Sequence, residues 1–154
     1  VYKRQGPDHA QIASVNGVID YFEAVYSHHN EEQDIAMSQK AAAVMALFQQ
    51  AEQANLQPLL DFLTQKRDVR LIGKDTTENR APTVSFTVTD RHPEEIAAGL
   101  ANQNIGIANG NCYAWRLMEA LGIPPEQGVV RLSYVHYTQE GELQRLIDGL
   151  DSLL

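Results

Sequence analysis

The spacing of apolar side chains changes near residue 67, and no other feature of the sequence constrains the fold as much. Before that point the spacing is helical. Ile12, Val15, Val18, Ile19, Phe22 and Val25 form one stripe from His9 to about His28, which implies a helix with one buried face. His28-His29-Asn30 ends it. Met37, Ala41, Val44, Leu47, Phe48 and Ala51 form a second stripe, continued on a shifted face by Leu56, Leu59, Leu60 and Leu63. Ala41-Ala42-Ala43 favours helix strongly. Pro58 lacks an amide donor and is expected to kink or restart this helix near Asn55.

After residue 67 the pattern alternates. Val69-Arg70-Leu71-Ile72-Gly73 reads as a strand, residues 74–81 as a polar loop, and Val84-Ser85-Phe86-Thr87-Val88 as a strand buried on one face. Pro93 suits the first turn of a helix, where Glu94 and Glu95 complement the helix dipole. Asn104–Ala108 reads as a short extended link, and a helix is expected from about Asn111 to Leu121 with Gly122 as its stop. Val129–Val135 is a strand rich in β-branched residues, and Thr138 is placed to cap a last helix with the stripe Leu143, Leu146, Ile147 and Leu150. The expected fold is α+β. Two long N-terminal helices precede a small two-layer domain of mostly antiparallel sheet with helices on one face. The division falls into a helical segment at 6–66 and a small α+β domain at 67–154.

Composition removes several classes of function. Hydrophobic residues make up 44% of the 154, enough for a core. A formal net charge of -8 repels nucleic acid and anionic membrane, so neither is an expected partner. No apolar run approaches ~18 residues, so no membrane span is expected. One cysteine, Cys112, forms no internal disulfide and no CxxC site, and a reducing cytoplasm fits it. The histidines show no HxxxH or HExxH spacing, so no metal site is expected. Glu31-Glu32 and Glu94-Glu95 read as solvated helix starts rather than a general acid/base pair.

Two residue types invite a chemical reading. Arg131 carries a planar fork of donors that stays charged and suits a carboxylate, and it lies in an otherwise apolar strand. Spacing alone leaves two readings open: a solvent-facing guanidinium on the polar side of the strand, or an anchor aimed into a cleft. Cys112 stands near an expected helix N-terminus, where a thiolate is favoured. A lone cysteine is equally a small buried residue.

Several segments in order resemble one family, the class V aminotransferases and cysteine desulfurases. Arg80-Ala81-Pro82-Thr83-Val84-Ser85-Phe86-Thr87-Val88 resembles the strand that opens their small domain, and Pro93–Leu100 the helix after it. Asn104-Ile105-Gly106-Ile107 with Gly110-Asn111-Cys112-Tyr113-Ala114 resembles their active-site loop, and Gly128–Tyr137 the strand with a carboxylate-binding arginine. His9–Ala13, running on to Asp20-Tyr21, resembles the helix after the cofactor lysine.

The resemblance implies a homodimeric, fold-type-I enzyme that uses pyridoxal 5'-phosphate on a small amino acid. It implies that Arg131, Asn111 and Tyr113 meet the substrate and that Arg131 holds its α-carboxylate. Desulfurases carry their nucleophile in a Gly-His-His-Cys-Ala pattern. Aligned on Gly110 and Ala114, this chain has Tyr113 at that position and Cys112 one residue early, so Cys112 is only a secondary candidate nucleophile. On a helix, one residue turns the side chain by about 100°. The arginine expected slightly earlier is replaced by Ala108. The family's phosphate-contacting Gly-Thr-x-Asn element corresponds to Gly6-Pro7-Asp8-His9, where acidic Asp8 is a poor phosphate ligand.

None of the lysines, Lys3, Lys40, Lys66 and Lys74, stands in the family's lysine context. The expectation is therefore a truncated C-terminal piece, inactive alone, with no catalytic residue and no bound cofactor of its own. Its helical segment would continue from a large domain and would expose an apolar patch where that domain packed. Val1-Tyr2-Lys3-Arg4-Gln5 resembles a translated sequencing adaptor, which makes Gly6 the expected first native residue. The alternatives are a true cysteine desulfurase or an epimerase-like enzyme, and a non-catalytic α+β module for binding or dimerisation.

Overall fold

The computed structural model describes residues 8–154. The adaptor-like residues 1–5 and the Gly6-Pro7 part of the phosphate-element comparison lie outside them. The chain divides into two compact units, residues 1–49 and 50–154, with the boundary inside the second helix.

In the first unit, α1 runs His9–His29. Asp8 caps it, accepting from the amides of Ala10 at 3.0 Å and Gln11 at 3.3 Å. His28 and His29 occupy its last turn, where the dipole favours cations. The following loop is tied back by Asn30, whose Nδ2 donates to the Tyr26 carbonyl. The first part of α2 (Met37–Gln65) meets α1 through Phe48, which lies against the rings of Tyr21 and Phe22. Tyr26 and Val44 are buried. Ile12, Val15, Val18 and Ile19 of the α1 stripe are between 42% and 59% exposed, which gives the apolar patch expected on the helical segment rather than the buried face that the spacing alone implied.

In the second unit, four strands form one sheet in the order β1-β2-β4-β3, every pair antiparallel. They are β1 (Val69–Ile72), β2 (Thr83–Val88), β3 (Ala108–Gly110) and β4 (Val129–Ser133). Alternation sends Val84 and Phe86 of β2 and Val130 and Leu132 of β4 to one face. There they join Leu56, Leu59, Leu60 and Leu63 of α2, Ile96 and Leu100 of α3 (Pro93–Ala101), and Leu143 and Leu150 of α5 (Glu140–Asp151) in the main core. A smaller cluster joins Met118 of α4 (Trp115–Ala120), Ile123 and Val129, with Ile72 and Leu121 packed against it.

Local chemistry explains most boundaries. Pro93 sits in the first turn of α3, capped by His92 Nδ1 accepting from the Glu94 amide. Gly122, at φ +69°, ends α4, and the Gly122 and Ile123 amides donate to Glu119 and Met118.

Three expectations need correction. Helix α2 runs unbroken through Pro58 with no restart near Asn55. Proline inside a helix costs about 3 kcal/mol. Burying Leu56, Leu59, Leu60 and Leu63 on either side of it stabilises by ~1.5–3 kcal/mol each, which outweighs the break. Thr138 does not cap α5. Gln139 is the N-cap, and its amide donates to Glu142 at 2.9 Å, while Thr138 Oγ1 accepts from the Val135 amide. Helix α4 starts at Trp115 rather than Asn111, because the four residues before it are drawn into a turn.

Candidate functional site

β4 places Arg131 between Ser85 of β2 and Ala108 of β3. Its chain neighbours Val130 and Leu132 are buried in the main core, so alternation turns Arg131 to the opposite face. The side chain is only partly exposed. Its Nε is buried and has no hydrogen-bond partner among the described residues. A buried, unsatisfied donor on a cation is costly, and a carboxylate is the group that best satisfies it.

Two residues beyond Ala108, the edge strand β3 ends at Gly110 and the chain enters a tight turn. The Ala114 amide donates to the Asn111 carbonyl at 2.8 Å, which closes a turn over Cys112 and Tyr113. Both central residues have positive φ, +50° and +63°, the pattern of a type I′ turn. Such turns favour Gly and Asn, and a cysteine and a tyrosine there are strained.

Asn111 organises the turn from its first position. Its Oδ1 accepts from the Tyr113 amide at 3.1 Å, and its Nδ2 donates to the Pro125 carbonyl at 3.2 Å. An amide side chain has four hydrogen-bonding sites, so two are in use. Cys112 is half-buried, with Sγ 3.7 Å from the Gly110 carbonyl. Tyr113 is fully exposed. The expectation that a helical turn of about 100° separates Cys112 from Tyr113 therefore needs correction. Both lie before the helix, in left-handed backbone.

Reading the sequence missed a polar cluster at the other end of β4. Arg80 reaches forward so that Nη2 donates to the Thr83 carbonyl, while its Nε is buried without a partner among the described residues. Desolvation pulls the Arg80 pKa below its usual value. Tyr134 donates its hydroxyl to the Glu52 carbonyl at 3.3 Å. Burial raises the Tyr134 pKa, with Glu52 adding to the effect and Arg80 opposing it. An arginine two residues ahead of a proline at a strand start was the one visible signal. A mainly apolar groove of about 360 Å³ opens beside α5, lined by Ile105, Ile107, Leu132, Tyr134, Leu143 and Leu146 among others. Arg131 does not line it.

Among the described residues no group of His, Cys, Asp or Glu could hold a metal ion, and no helix is long and apolar enough to cross a membrane. The described lysines are engaged elsewhere. Lys40 lies over the Tyr26 ring, Lys66 pairs with Asp151, and Lys74 donates to the Glu78 carbonyl. These residues do not fit a cofactor that needs a Schiff-base lysine.

Comparison with known proteins gives a consistent family. The family model described as aminotransferase class-V matches residues 35–146. A protein of Streptomyces coelicolor described as a probable cysteine desulfurase is 34% identical over 84 residues, which cover 54% of this chain and 19% of that protein. Aminotransferase-like protein FGM3 of Gibberella zeae is 31% identical over 99 residues, 62% of this chain and 25% of its own length. The chain thus spans about a fifth to a quarter of these relatives. Among solved structures, the apo cysteine desulfurase of Thermococcus onnurineus superposes with a TM-score of 0.65 at 24% identity, covering 76% of this chain and 28% of that one. The desulfurase CsdA of Escherichia coli gives 0.58 at 18%, covering 77% and 26%. At these identities the structural likeness speaks for the fold.

Proposed function

The chain belongs to the class V aminotransferase family, and from that premise we propose that it forms the substrate-gripping part of a pyridoxal-phosphate enzyme acting on a small amino acid. Arg131 is the anchor for the α-carboxylate. The observation that carries this reading is the buried Arg131 Nε with no partner, on the strand next to the edge that leads into the Asn111–Ala114 turn. A guanidinium in that state is prepared for an anion, because binding replaces an unsatisfied donor with a charge-assisted bond of about 1.5–3 kcal/mol.

The other proposed roles follow from the turn. Asn111 holds its shape and retains one amide hydrogen for the substrate. Tyr113 presents an exposed ring, and its proposed role is to meet the substrate from the turn. Cys112 is not given a nucleophilic role, because Tyr113 stands at the desulfurase nucleophile's position. Pyridoxal phosphate supplies the electron sink in enzymes of this kind. The described residues do not assemble its site, so this chain contributes binding and orientation, and turnover requires residues beyond those described.

The test is side-chain NMR of the Arg131 Nε–H during titration with L-alanine and, separately, with ethylamine, which lacks the carboxylate. The amino acid should shift the signal and the amine should not, and Arg131→Met should abolish the response. An equal response to both ligands, or no response to either, sinks the reading.

A further inference from the structure

We propose that the turn Pro124–Gly128 is a positioning clamp that holds Cys112 and Tyr113 in their left-handed conformation. Two independent contacts join the clamp to the turn. One is the Asn111 Nδ2 hydrogen bond to the Pro125 carbonyl. The other is a backbone approach at Gly128. A Cβ placed there would lie 2.0 Å from the Gly110 carbonyl carbon, 2.2 Å from its oxygen and 2.4 Å from the Asn111 nitrogen. All three are backbone atoms, which cannot step aside as a side-chain end can. Gly128 is also at φ +68°, so only glycine meets both demands at ease.

The clamp is itself rigid. The amides of Gln127 and Gly128 both donate to the Pro124 carbonyl, at 3.0 and 2.9 Å. Immediately after it, Val129 pairs with Gly110 in the sheet, so one short segment fixes both the start of β4 and the end of β3. Left-handed backbone at a non-glycine residue costs about 1–2 kcal/mol, and two such residues in succession persist only where their surroundings over-determine them. The Asn111 bonds and the Gly128 contact supply that constraint. Gly128 and Asn111 are thus positioning residues, and Tyr113 is the group they position. For its functional meaning the clamp rests on the carboxylate reading above, since it fixes Tyr113 on the loop that follows the edge strand β3, beside the Arg131-bearing strand β4. Its conformational claim needs no substrate.

Cys112 is the one cysteine of the chain and sits inside the clamped turn, so its thiol reports the turn directly. The experiment is the rate of reaction of the 154-residue chain with an aromatic disulfide reagent, measured across low urea concentrations for wild type, Gly128→Ala, Gly122→Ala and Asn111→Ala. Gly122 is the control. Its φ of +69° matches that of Gly128, but nothing lies within 4 Å of its added Cβ. Gly128→Ala should label about tenfold faster or more, with a rate almost independent of urea, as local opening requires. Gly122→Ala should stay within about twofold of wild type under the same native conditions. If Gly128→Ala does not fold, Asn111→Ala decides, because it removes the side-chain bonds without a collision and should show the same urea-independent acceleration. A wild-type rate in the deciding variant overturns the proposal, and so does acceleration that follows the urea slope of global unfolding. Neither result depends on amino-acid binding, so the clamp and the carboxylate reading fail separately.

Discussion

Tyr134 shows how one side chain ties the end of β4 to a helix. Its phenol is half-buried, donates to the Glu52 carbonyl of α2, and titrates above its usual value because burial disfavours the phenolate. The folded state therefore binds this proton more tightly than the unfolded chain. That contribution is intact below the unfolded phenol pKa, near pH 10, and is lost as pH rises from there toward the folded value. Urea midpoints measured from pH 8 to 11 should fall for wild type, and Tyr134→Phe should fall less steeply. The difference should be below about 1 kcal/mol per pH unit, because solvent screens a half-buried group. Parallel slopes would remove Tyr134 from the account. At this scale the sequence was legible where side chains alternate, as at Arg131 between Val130 and Leu132. It was not legible at Cys112 and Tyr113, whose conformation follows from a contact with Gly128 some fifteen positions away.

At the scale of elements, α5 carries a contrast between two glycines. Gly141 has open space around its added Cβ, and Gly149 has Leu100, Gln103 and Ile105 atoms between 2.8 and 3.1 Å. Alanine at Gly141 should stabilise by ~0.5–1 kcal/mol through helix propensity. At Gly149 the same propensity gain is opposed by overpacking between α5 and α3, and the net should be a loss of about 1–3 kcal/mol. Chemical denaturation of the two variants checks the sign of each, and the same sign in both would refute the packing argument. Element order was readable from period alone, since the helices and strands expected after residue 67 occur in their expected order. Boundaries were less so, and β4 ends at Ser133 where Val135 was expected. The local rule at Pro58 is overruled by four buried leucines, and the start of α4 is delayed by a turn that tertiary contacts impose.

For the molecule as a whole, the quantity at issue is apolar surface on α1. Spacing alone implied a buried stripe, whereas the resemblance implied an apolar patch left open on this helical segment. In the structure Ile12 and Val15 are 59% and 55% exposed, although α1 keeps a cap, a regular course and an aromatic contact with α2. Exposed single side chains need no explanation, but four on one helix form a contiguous face of the kind that binds hydrophobic dye. Replacing Ile12, Val15 and Ile19 together by serine should reduce dye fluorescence severalfold. Unfolding free energy should change by less than about 1 kcal/mol, since surface positions contribute little. The two measurements together decide the matter. A large stability loss would mean that the stripe is covered in solution, and analytical ultracentrifugation of the wild type should then find self-association. Reduced dye binding at unchanged stability would mean that this face is open in the chain and free for another apolar surface.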